Sequence, residues 1–160
     1  MNQSGVVGSL ERELLKLVDS SGALTAMLVT KEGNVVSEAG DTSYLNTTAM
    51  AALVAGMFSA TREVAAMVGE SQFSILLQQG ENRHIHMSLV TNRVLMVVVF
   101  EDYQRIGRVR HEAKRSGARL SELIARPTGA PSQAEDISVP EFKEYALNLI
   151  DRIFAPKTDQ

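Results

Sequence analysis

The run Val94-Leu95-Met96-Val97-Val98-Val99-Phe100 is the feature that most limits what this chain can become. Its length and β-branched content suit a strand. A strand alternates its side chains between two sheet faces, so an unbroken apolar run puts apolar surface on both. Neither face can then be left to water, and helices must cover each. Residues 24–30 make the same demand, because Leu24, Ala26 and Leu28 alternate with Met27 and Val29. These two strands belong in the middle of a sheet. Residues 35–39, with Ser37 and Glu38, belong at an edge.

The remaining elements fall around this pair. Leu10, Leu14, Leu17 and Val18 share one helical stripe and mark a first helix over residues 9–20. Lys31-Glu32-Gly33-Asn34 is a short polar connection that can close a hairpin between the first two strands. Asn46, Thr47 and Thr48 can each cap a second helix, which runs without proline to Val68 and stops at Gly69. Strands at residues 73–79, 84–90 and 94–101 follow, joined by turns short enough for an antiparallel meander. Ile106, Val109, Ala113, Leu120 and Ile124 mark a further helix over residues 104–125. The expected architecture is an α/β three-layer sandwich: a five-stranded antiparallel sheet in the order 2-1-5-4-3, with helices on both faces.

After residue 125 the composition changes. Residues 126–139 are rich in Pro, Gly, Ser and acidic side chains, as a linker would be. Ser138-Val139-Pro140-Glu141 then fits a capping box, and Phe142, Tyr145, Ala146, Leu149, Ile150, Ile153 and Phe154 form a wide apolar stripe. The expected division is a domain over 1–125, a linker over 126–139, and a C-terminal amphipathic helix with its tail over 140–160. Such a helix needs something to pack on: its own sheet, a dimer groove, or a partner protein's groove, with Phe142, Leu149, Ile150 and Ile153 as anchors in the last case.

Composition removes several classes of function. Without cysteine there are no disulfides and no thiolate metal sites, and the N-terminus lacks an export pattern, so a cytoplasmic protein is expected. The longest strongly apolar run is far below the roughly 18 to 20 residues of a membrane-crossing helix, so no span is expected. A net charge of −3 gives no overall attraction to polyanions. Arg105, Arg108, Arg110, His111, Lys114, Arg115 and Arg119 do make the helix after the meander basic, but no aromatic stacking platform accompanies them. They are read as a solvated face, or as a contact for an acidic protein partner or for the chain's own Glu135-Asp136, and no nucleic-acid partner is expected.

Nothing announces catalysis, which needs an activated nucleophile or a matched acid and base. His84 and His86 share one strand face but lack a third ligand, so they are read as solvent-facing or interfacial rather than as a metal site. The glycines form no phosphate-cradling motif, so the chain is not itself a nucleotide hydrolase. No cofactor is expected.

The second helix carries the most suggestive surface. Ala49, Ala52, Ala55, Gly56, Ser59, Ala60 and Ala66 are small, and their spacing leaves a helical surface that another backbone can approach. The same residues could equally let the helix lie tight on its own sheet.

The element order, the hairpin Val29-Thr30-Lys31-Glu32-Gly33-Asn34-Val35 and the stretch from Thr47 to Gly56 resemble the Roadblock family, and within it the bacterial MglB-like branch. Gly69-Glu70-Ser71-Gln72-Phe73 and the stretch from Asn92 to Phe100 add to that likeness, which covers residues 10–124. The resemblance implies a homodimer made by joining edge strands and laying two central helices side by side. It also implies a partner, a Ras-like small GTPase of the MglA type, whose GTP hydrolysis the dimer stimulates by repositioning the GTPase's own residues in bacterial polarity or motility control. Cytoplasmic protein concentrated at a cell pole, and contacts to other polarity proteins through the C-terminal helix, follow from the same likeness. By matching positions, Ser59 and Glu63 would touch the GTPase, with Ala52, Ala55, Gly56 and Ala60 flanking them. One departure stands out: Thr61-Arg62-Glu63 replaces a small, glycine-rich turn of those relatives.

Overall fold

In a computed structural model, which describes residues 3–72 and 74–126, the elements run in the expected order. They are α1 (Gln3–Ser21), β1 (Thr25–Thr30), β2 (Val35–Gly40), α2 (Thr47–Met67), β3 (Ile75–Gln79), β4 (His84–Leu89), β5 (Val94–Phe100), a 3-10 turn (Tyr103–Arg105) and α3 (Ile106–Ala125). Helix α1 begins six residues earlier than its apolar stripe implies. Phe73, expected to open β3, and the expected linker and C-terminal helix lie outside the described residues.

The strands form one antiparallel sheet in the order β2-β1-β5-β4-β3. Every residue of β1 and β5 is buried, as their two-sided apolarity requires. The side chains divide by alternation. Ala26, Leu28, Met96, Val98 and Phe100 meet Leu10, Leu14 and Leu17 of α1 and Val109, Ala113 and Leu120 of α3. On the opposite face Met27, Val29, Leu95 and Val97 meet Ala51, Val54 and Phe58 of α2. Three layers result, with two helices on one face and one on the other.

A bulge marks the pairing of β1 with β2: Leu28 faces Ser37 and Val29 faces Val35, so Val36 is the extra residue. It lets Val35 pack on the α2 face while Val36 packs on the other. The hairpin turn closes at Gly33, whose φ of +96° suits glycine, and a Cβ there would lie 3.0 Å from the Cα of Ala52. The turn therefore leans directly on α2.

The histidine expectation is corrected here. His84 and His86 share a face, as read, but that face is the one beneath α3, because they pair with Phe100 and Val98 across β4 and β5. Both are buried rather than solvent-facing. His84 Nδ1 accepts a hydrogen bond from the Gly80 amide at 3.2 Å, and its ring packs against Phe100 and Tyr103. His86 has neither nitrogen partnered, and Ser116 Oγ of α3 is likewise buried without a partner. Desolvation, followed by the nearby positive charge of Arg110, lowers the His86 pKa and holds the ring neutral.

Candidate partner-binding surface

Helix α2 is set at both ends by its own sequence. Asn46 is in an extended conformation and its side-chain oxygen accepts from the Ala49 amide at 3.1 Å, which satisfies one of the first-turn donors. At the other end Gly69 has φ +88°, and the amides of Gly69 and Glu70 donate to the carbonyls of Ala66 and Ala65. That is a Schellman closure, which a left-handed glycine permits.

Between these caps the helix is anchored over only part of its length. Its buried residues are Ala51, Val54, Ala55 and Phe58, none of them beyond the twelfth of its 21 residues. From Ser59 to Glu70 no residue is buried. Four large apolar side chains in or beside the helix are largely bare: Leu53 is 72% exposed, Val64 60%, Met67 86% and Val68 77%. By length and composition alone α2 is long and apolar enough to cross a bilayer, which a search for one unbroken apolar run passes over. Its buried stripe lies on the sheet, and Arg62 and Glu63 interrupt the remainder. The helix is apolar nearly all round, yet the sheet takes up only one stripe of it.

The small residues singled out from sequence divide accordingly. Ala55 is 5% exposed and is spent within the chain itself. Ala52, Gly56, Ser59, Ala60 and Glu63 are all exposed. Four of these, at spacings of four, three and four, make a straight stripe about 17 Å long on one side of the helix. A Cβ added at Gly56 would meet nothing within 4 Å, so the described chain gives no steric reason for glycine there. Ser59 and Glu63 also line a cleft of about 340 Å³ with Arg62, Ala66, Glu70 and Ser71, so its lining includes one arginine and two glutamates. Leu53, Val64, Met67 and Val68 were absent from the sequence-derived set. The signal that could have found them is the excess of apolar residues in α2 over what one packed stripe can use.

Next to this helix the sheet ends in β3, an edge strand with one free side and with Ile75 45% exposed. Chemically the surface offers backbone pairing at the strand edge, apolar contact along α2, and one polar cleft. Among the described residues no cluster of His, Cys, Asp and Glu could hold a metal ion. The expected basic helix is α3. Arg115 pairs with Glu112 at 2.7 Å and Arg119 with Glu122 at 3.2 Å, in keeping with a solvated, self-paired face over that part.

Solved structures share this architecture. Myxococcus xanthus MglB is 29% identical, with a TM-score of 0.70 over 73% of this chain and 88% of that one. Gliding protein-mglB from Thermus thermophilus is 25% identical, with a TM-score of 0.69 over 74% of this chain and 90% of that one. A Roadblock/LC7 domain from Streptomyces avermitilis shares the fold at 16% identity and a TM-score of 0.63, over 72% of this chain and 98% of that one. No curated protein sequence matches the chain. The model of the Roadblock/LC7 domain matches residues 10–100, from the first buried leucine of α1 to the end of β5. The likeness fits a regulatory or adaptor role. The chain belongs to the Roadblock/LC7 domain family.

Proposed function

We propose that this protein is a homodimeric, non-enzymatic regulator of a Ras-like small GTPase of the MglA type. Its paired α2 helices hold the GTPase and stimulate GTP hydrolysis by repositioning the GTPase's own catalytic residues. The observation that carries the proposal is the state of α2: past Phe58 nothing on it is buried, while Val64, Met67 and Val68 stand bare. A soluble chain does not keep several large apolar side chains beside a free strand edge unless something covers them. Pairing of two β3 edges would bring two copies of α2 alongside each other. The stripe Ala52-Gly56-Ser59-Glu63, with Ala60, would then form the docking platform, and Ser59 and Glu63 would touch the partner. Ala55 would act from beneath, by seating the helix. The likeness to MglB proteins supports the choice of partner class and a role in bacterial polarity or motility. It also supports a cytoplasmic location, concentrated at a cell pole, and further contacts to polarity proteins through the C-terminal segment.

The test is single-turnover GTP hydrolysis by the cognate GTPase with and without this protein. Acceleration of about tenfold or more at saturation, equivalent to roughly 1.4 kcal/mol off the barrier, supports an activator. Binding without acceleration reduces the role to a scaffold that bridges complexes. Absence of any GTPase partner refutes the proposal.

A further inference from the structure

Two helices cannot cover one face of a five-stranded sheet. Five strands at about 4.8 Å spacing present about 24 Å of width, whereas two helices packed about 10 Å apart shield about 20 Å. Here α1 and α3 cover β2, β1, β5 and most of β4, and the β3 side stays open. The result is a groove of about 690 Å³, floored by Ile75, Ser88 and Val90 and walled by Arg110, Lys114 and Ala118 of α3. The floor is mainly apolar. The wall is basic, and neither Arg110 nor Lys114 forms an ion pair among the described residues. The groove follows α3 from Arg110 to Ser121, a length of about 17 Å.

We propose that this groove is the docking site of the chain's own C-terminal segment, residues 140–154, bound as a third helix on that face. Length, charge and reach agree. From Phe142 to Ile153 the apolar stripe, if helical, is about 17 Å long, matching the groove. Glu135, Asp136 and Glu141 lead into the stripe, and residues 127–160 hold six acidic side chains against three basic ones, opposite in sign to the wall. The chain leaves α3 extended at Arg126, only one turn beyond Ser121. Residues 127–139 can span up to about 43 Å, and the groove's far end at Arg110 is about 23 Å back along the helix axis, so the segment reaches its full length. Docking would bury Ile75 and neutralise Arg110 and Lys114 on the sheet face opposite α2, and it requires no GTPase.

Because the chain has no cysteine, disulfide trapping in the full-length protein is a clean test. Ala118→Cys is combined in turn with Leu149→Cys, Ile153→Cys and, as a control outside the stripe, Lys157→Cys. The proposal expects intrachain disulfides to form at least tenfold faster at Leu149 or Ile153 than at Lys157. Adding Arg110→Glu and Lys114→Glu, both surface changes, should slow that reaction at least tenfold, and Glu135→Lys, Asp136→Lys and Glu141→Lys together should restore it. Equal rates at all three positions would overturn the proposal. So would indifference to charge reversal, and so would disulfides that are chiefly between chains at high dilution, which would put a second copy's segment in the groove.

Discussion

Gly56→Ala should move stability and association in opposite directions. Within one protomer the change is favourable. Gly56 is mid-helix in α2, it is exposed, and a Cβ there meets nothing within 4 Å. Alanine at such a position gains about 1 kcal/mol through helix propensity and a less disordered unfolded chain. For a domain of this size that raises Tm by about 4 °C. If Gly56 lies where a second backbone approaches, the same methyl group intrudes on that contact. A loss of about 1.4 kcal/mol there weakens association tenfold. Urea denaturation at low protein concentration measures the first effect, and sedimentation equilibrium with a GTPase titration measures the second. A variant that is more stable and also associates as tightly as the parent, with itself and with the GTPase, would refute the reasoning. The glycine would then have no role at a contact.

Arginine substitutions on neighbouring α2 positions should separate cleanly. Ser59→Arg, on the exposed stripe, should abolish partner binding with circular dichroism unchanged, whereas Ala55→Arg, at a buried position, should cost about 3 kcal/mol or more and visibly loosen the fold in a urea melt. Asn46→Ala removes the oxygen that caps the Ala49 amide and should destabilise the chain by about 1 kcal/mol in the same assay. His86 sets a pH dependence. Its folded-state pKa lies below the ordinary 6.5, so its contribution to stability is fully present above pH 6.5 and is lost as pH falls from there toward the depressed value. His86→Leu, which removes two buried nitrogens without partners, should raise stability by about 1 kcal/mol and flatten the Tm profile between about pH 7 and 5.5.

Most of the fold was legible because it rests on alternation and helical period. The two-sided apolarity of β1 and β5 dictated a sheet covered on both faces, and Ser37 and Glu38 marked β2 as an edge. Asn46 and Gly69 bounded α2 by cap chemistry that a few consecutive residues disclose. The histidines were not legible in the same way. Period two told that His84 and His86 share a face, but which face depends on register against β5, a long-range property that short-range pattern does not encode. The early start of α1 escaped for a related reason, since residues 3–8 add a helical turn and more without extending the buried leucine stripe.

The candidate surface was half legible, and the missing half explains the visible half. Sequence drew attention to the small residues of α2, which allow close approach but bury little area of their own. What makes such a surface worth covering is the large apolar side chains beside it, and these read as ordinary core until the sheet is in place. Phe58 decides the matter: it is the last residue of α2 that the sheet receives. Up to that point the apolar residues other than Leu53 pack mainly inward, and beyond it Val64, Met67 and Val68 have no interior to enter. Each would gain on the order of 1.5 to 3 kcal/mol on full burial. An interface spanning Ala52 to Val68 would have a driving force concentrated toward the C-terminal end of the helix and a steric allowance concentrated at Ala52, Gly56 and Ser59. Two copies lying along each other would use the large side chains to adhere and leave the small-residue stripe for a partner's close approach, so α2 would be a surface completed by association rather than by folding alone.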